Sequence, residues 1–155
     1  MRSFVIDGEP RGKGRPRFSS VNGQVRTRTP EGTVIYENLV RLSYQQQCGE
    51  PMYEAKVPIV MEICAFYAMP QNISRKKRLQ MLNGDIRPTK KPDIDNLCKI
   101  IMDSLNKVAY YDDAQIVRAI IMKEYSDRPR VCVNMWTLEE INEAAEVLHE
   151  MEEKL

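Results

Sequence analysis

Two carboxylates, a proline and two amines fall within nine residues at Lys91-Pro92-Asp93-Ile94-Asp95-Asn96 and Lys99, and a second carboxylate pair follows at Asp112-Asp113. Carboxylates this close repel one another, and a fold usually tolerates them only where a cation sits among them. The cation that suits a cluster of Asp oxygens is a hard one such as Mg2+, which takes a few carboxylates together with water and phosphate. One or two such ions can activate a water and neutralise a phosphate under attack. Lys99, one helical turn from Asp95, would add a point positive charge beside that phosphate. The chemistry implied is phosphodiester hydrolysis with Mg2+, Mn2+ being able to substitute. It needs no histidine base, and the only histidine, His149, lies in an acidic tail segment and reads as a surface residue.

Each piece also has an ordinary explanation. Asp93 or Asp95 can cap a helix. Asp95 and Lys99 can form an i,i+4 pair, worth about 0.2–0.5 kcal/mol. Asp112-Asp113 can be a simple turn. A lone D-x-D is a weak signal. The pieces together, preceded by Lys-Pro and separated by one amphipathic segment, make the stronger case for a metal site.

The element that must position these groups is a helix from Asp93 to about Lys107. At 100° per residue, Ile94, Leu97, Ile101, Leu105 and Val108 fall on one stripe, which should face the core. Asp95 and Lys99 fall opposite, with Asp103 a turn further on. Asp112 and Asp113 then lead straight into a strand. Elsewhere, Ser3–Asp7 reads as a short strand, and residues 8–32 as loop with a hairpin around Asn22-Gly23. Thr33 can cap a helix through about Gln47, with Ile35, Leu39 and Leu42 on one stripe and Gly49 closing it. Val57–Tyr67 reads as a central strand. Ser74 starts a basic helix that stops near Asn83-Gly84. Ile116–Tyr125 and Arg130–Trp136 read as a hairpin, and Leu138–Leu155 as an acidic amphipathic helix. The expected fold class is α/β of the α+β type, a single compact domain spanning 1–155 with a mixed sheet packed by helices.

The net charge of +1 hides an asymmetry. Residues 1–30 hold seven Lys and Arg against Asp7 and Glu9, whereas residues 138–155 hold seven Glu against Lys154. A basic face on a small domain suggests a polyanionic partner. Lys13, Arg15 and Arg17 lie in a glycine-containing loop, but Lys13 is followed by Gly14, so the phosphate-loop pattern of nucleotide-binding proteins is absent. Contacts from this loop to nucleic-acid phosphates fit better. Arg87, Lys90 and Lys91 directly precede the acidic motif and are placed to steer a polyanion to it. The cysteines Cys48, Cys64, Cys98 and Cys132 form no C-x-x-C pair, which favours reduced thiols over a zinc site. Glu62 interrupts the longest apolar stretch, and the N-terminus is charged too early for a signal peptide, so a cytoplasmic protein with no membrane span is expected.

The combination of Lys13-Gly14-Arg15-Pro16-Arg17, Thr29-Pro30 with Thr33, Tyr36-Glu37, Lys91-Pro92-Asp93-Ile94-Asp95-Asn96 with Lys99, Asp103, and Asp112-Asp113-Ala114-Gln115 resembles the RusA-type Holliday-junction resolvases of bacteria and prophages. Order and spacing match from about residue 5 to residue 136, and the acidic C-terminal helix lies outside the pattern. The resemblance implies a homodimeric, Mg2+-dependent endonuclease that cuts four-way DNA junctions symmetrically in recombination and repair. It implies Asp93, Asp95 and Asp113 as metal-binding acids, Lys99 as an essential lysine, and Asp112 and Asp103 as auxiliaries. Three alternatives stay open on the residues alone. They are a nuclease of other branched or single-stranded DNA, a non-catalytic nucleic-acid-binding protein, and another Mg2+ phosphoryl-transfer enzyme.

Overall fold

The computed structural model describes residues 1–21, 24–49 and 51–152, without the side chains of residues 17, 19–21, 24–27 and 147–152. The expected turn at Asn22-Gly23, the side chain of Arg17 and that of His149 lie outside the described set. Among the described residues, β1 is Arg2–Asp7, β2 Arg17–Val21, β3 Gln24–Arg28, α1 Glu31–Gln47, β4 Ile59–Ala68, α2 Arg75–Leu82, α3 Ile94–Leu105, β5 Ile116–Ser126, β6 Arg130–Thr137 and α4 Leu138–Glu152. The fold is mixed α+β, with a four-stranded sheet in the order β1-β6-β4-β5 and a separate antiparallel ribbon of β2 and β3. No helix among the described residues is long and apolar enough to cross a membrane.

Alternation along the strands sets the layers. Ile59, Met61, Ile63, Ala65 and Tyr67 of β4 share one face with Val131, Val133 and Met135 of β6 and with Phe4 and Ile6 of β1. These residues are buried in one cluster with Tyr36, Val40 and Tyr44 of α1 and Leu97, Ile100, Ile101 and Leu105 of α3. On the other face, Glu62 accepts a hydrogen bond from Asn134, and Arg130 stacks on Phe66.

The hairpin expected between the last two strands does not form. Both pair with β4 instead, β5 in parallel and β6 antiparallel. β4 is apolar enough to need partners along both edges. Residues 127–129 carry the chain over its end, a span of roughly 10 Å across two strand spacings. β4 and β5 are thereby joined by a crossover that contains α2 and α3, the arrangement parallel neighbours require.

Four helix expectations also shift. α1 starts at Glu31 with Pro30 as its cap residue, and Thr33 is buried in the first turn, where its hydroxyl accepts the Gly14 N–H. Ile35 is 61 % exposed and Leu42 52 %, because α1 turns the neighbouring stripe inward, Thr33, Tyr36, Val40, Ser43 and Tyr44. Both stripes have the helical period. The inward one carries two tyrosines, of which Tyr44 meets Phe4 edge to face with ring centroids 5.5 Å apart. Ile94 is 48 % exposed, since the first residue of α3 projects past the sheet. α3 ends at Leu105, and Val108 lies beyond it, partly buried against the core.

Candidate functional site

Asp93 is the cap residue of α3, in extended conformation, with no cap bond from its own side chain. Asp95 follows in the first turn, and both are exposed. Asp113 is half-buried in a short 3₁₀ turn, Asp113–Gln115, that leads into β5. None of these three carboxylates has a hydrogen-bond or ion-pair partner among the described residues.

Asp112 differs. Its Oδ1 accepts the Ala114 N–H at 2.9 Å, half of a capping box completed by Gln115. Gln115 is buried, and its Oε1 accepts the Tyr111 and Asp112 N–H groups at 3.0 and 3.2 Å. Its Nε2 donates to the carbonyls of Glu54 and Val57. The D-D-x-Q run is therefore two structural residues around one free acid.

Lys99 is 60 % exposed, and its amine stands 3.4 Å from Asp103, not paired with Asp95. Asp103 also lies 3.0 Å from the Lys13 amine, which pairs with Glu37 of α1 as well. Partial burial pulls the Lys13 pKa down, but hydrogen bonds and attraction from Glu37 and Asp103 outweigh it and hold it above the usual lysine value. Lys13 thus joins the 10–14 loop to α1 and α3, where the sequence suggested a free phosphate contact. Burial pushes the Cys98 thiol up, and the charges of Asp103 and Asp95 push it the same way. Burial likewise raises Tyr110, with Asp113 and Asp103 adding to the shift. Asp95 and Asp103 thus both act on Cys98, and Asp113 and Asp103 both act on Tyr110.

A cleft of about 520 Å³ opens beside that tip. Its walls are the 10–13 loop, the start of α1 around Gly32 and Thr33, and Lys91, Pro92, Asp93 and Asn96. Lys91 and Arg15 are exposed with no ion-pair partner among the described residues. Arg87 pairs with Glu124, and Lys90 stands 4.0 Å from Glu9.

No three His, Cys, Asp or Glu side chains among the described residues gather as a ready-made metal cage. The donor set still suits Mg2+. It is oxygen-only and uncommitted, and Mg2+ is usually held by one or two carboxylates with waters and substrate phosphate. Sequence reasoning missed Lys123 of β5, whose amine donates to the backbone carbonyls of Lys90 and Pro92. The signal was available in a lysine standing at a core-facing position of an apolar strand.

Residues 7–135 match the protein family described as endodeoxyribonuclease RusA. The chain is 38 % identical over 130 residues to the uncharacterized protein YqaN of Bacillus subtilis (strain 168), covering 83 % of this chain and 90 % of that relative. It is 29 % identical over 129 residues to the crossover junction endodeoxyribonuclease rusA of Lactococcus phage r1t, with the same two coverages.

Proposed function

The chain belongs to the RusA endodeoxyribonuclease family, and from that premise we propose that it is a Mg2+-dependent, homodimeric nuclease of the cytoplasm that resolves four-way DNA junctions by paired symmetric nicks. One observation supports this most. Asp93 and Asp95 are exposed and uncommitted at the start of α3, beside a cleft that Lys91 helps to line.

Asp93 and Asp95 would hold the ion, with Asp113 as the third acid. When bound, Mg2+ (or Mn2+) supplies polarisation of the scissile phosphate and activation of the attacking water. Lys99, tied to Asp103 by only a weak surface pairing, is free to swing its amine to the phosphate. Lys91 and Arg15, two exposed cations without ion-pair partners among the described residues, take flanking phosphates and orient the duplex arms. Arg87 and Lys90 act with their acidic partners and contribute less. A two-fold dimer would match the symmetry of the junction and deliver one nick per subunit.

The test is a synthetic four-way junction incubated with Mg2+, beside linear duplex, forked and single-stranded DNA. Wild-type protein should give paired nicks on opposed strands of the junction. Asp95→Asn should bind the junction as well as wild type or better, since a negative charge leaves the DNA-facing surface, and should not cut. Wild-type cutting by Asp95→Asn would remove it from the site. Forks cut while the junction stays whole would overturn the substrate, and the absence of both cutting and divalent binding would leave a DNA-binding protein only.

A further inference from the structure

On β5, Ile121, Lys123 and Tyr125 stand in register with Ile63, Ala65 and Tyr67 of β4. Those three β4 residues are buried in the main core. A lysine in that row breaks the alternation, and a partly buried ammonium must find acceptors to remain there. Lys123 finds two. Its amine lies 2.5 Å from the Lys90 carbonyl oxygen and 3.0 Å from that of Pro92. It also sits 5.3 Å from the centroid of the Tyr67 ring.

The Pro92 carbonyl belongs to the peptide unit whose nitrogen is that of Asp93. Nothing in α3 itself fixes the Asp93 side chain, which makes no cap bond. Pro92 is also approached closely by Gly12, whose own Cβ, if it had one, would meet the Pro92 Cβ at 2.6 Å. The strap that carries Asp93 is thus in contact with both a glycine and a lysine amine.

We propose that Lys123 is a positioning residue for Asp93, fixing the 90–93 strap so that the carboxylate is presented to the metal. This rests on Asp93 being a metal-holding acid. Lys123 itself touches neither metal nor DNA in this scheme. Groups that orient a metal ligand typically change metal affinity or activity by about 10–100-fold when removed.

The experiment compares Lys123→Met, Lys123→Arg and Asp93→Asn. Free protein is titrated with Mn2+ by electron paramagnetic resonance, junction binding is measured in EDTA, and cleavage is followed across a Mg2+ series. Lys123→Met should bind the junction within about twofold of wild type, while Mn2+ affinity and Mg2+-limited cleavage fall by about 10-fold or more. Lys123→Arg, able to donate to both carbonyls, should recover much of the loss. Lys123→Met at wild-type Mn2+ affinity and cleavage, with Asp93→Asn defective in both, would overturn the positioning role alone. Asp93→Asn at wild-type values would instead overturn the metal role of Asp93. If Lys123→Met does not fold, Lys123→Leu, which donates to neither carbonyl, takes its place, and wild-type Mn2+ affinity in that variant overturns the proposal.

Discussion

The two carboxylate pairs look alike in the sequence and are built differently. In Asp93-Ile94-Asp95 both acids are exposed, and neither has a partner among the described residues, while the strap that presents them is anchored from outside by Lys123, Gly12 and the Lys13 N–H bond to the Asn96 carbonyl. In Asp112-Asp113 one acid is consumed by the turn that presents the other. Spacing alone does not say whether a carboxylate is available. Nor does the presence of backbone N–H groups nearby that lack helical partners. The start of the Asp113–Gln115 turn has such groups and recruits Asp112. The start of α3 has them too, yet Asp93 leaves them uncapped. An acid withheld from a cap it could make is the more informative of the two.

The sharpest way to break this contrast is to neutralise each member of the second pair. Asp113→Asn should reduce junction cleavage by about 10²-fold or more, the scale of losing one electrostatic contributor at a reacting phosphate, with an unchanged melting temperature. Asp112→Asn keeps an oxygen able to cap and should change both little. Single-turnover cleavage and thermal melts of the two variants check it, and equal losses would mean that both acids serve the chemistry.

The first pair is tested through its anchor. Gly12→Ala places a methyl 2.6 Å from the Pro92 Cβ and 3.0 Å from the Asn96 Cβ. Overpacking of this kind costs about 1–3 kcal/mol, readable in a denaturant melt. Because the displaced atoms carry Asp93, the Mg2+ needed for half-maximal cleavage should rise as well. A stability loss with unaltered Mg2+ dependence would show that the strap tolerates the shift without moving Asp93.

Most of this arrangement was legible in the sequence, for identifiable reasons. α3 has a single strong apolar stripe, so its phase, and with it the exposure of Asp95 and Lys99, followed from the 100° rule. α1 carries two stripes of equal period, and the one turned inward, where Tyr44 meets Phe4, is set by contacts distant in sequence. The hairpin of β5 and β6 was misjudged because a short connection between antiparallel strands is usually a hairpin, whereas here the unsatisfied edges of β4 take one strand each. The ion pairs of Lys13 were not legible because its partners, Glu37 and Asp103, lie 24 and 90 residues away in sequence and meet it only in the folded chain. The pairing of a free Asp113 with a spent Asp112 turned on Gln115 reaching the 54–57 loop, a contact no local pattern encodes.

The smallest effect concerns Asp103, the carboxylate of α3 that meets both Lys13 and Lys99. Lys13 holds it in place from one side and Lys99 meets it from the other. The Lys13 pKa is raised above 10.5 in the folded protein. A cation whose pKa is higher folded than unfolded contributes stability that is fully present below the unfolded value and is lost as pH rises through the folded one. The melting-temperature difference between wild type and Lys13→Met should therefore stay constant from neutral pH to just under 10.5 and shrink above it. Buried tyrosines such as Tyr36 and Tyr67, both pushed up to about 12 chiefly by burial, also destabilise the fold at alkaline pH. They do so in both proteins and cancel in the difference. A gap that persists unchanged well above pH 10.5 would mean that Lys13 stabilises by the packing of its chain rather than by its charge. Asp103 would then be free to turn toward Lys99 alone.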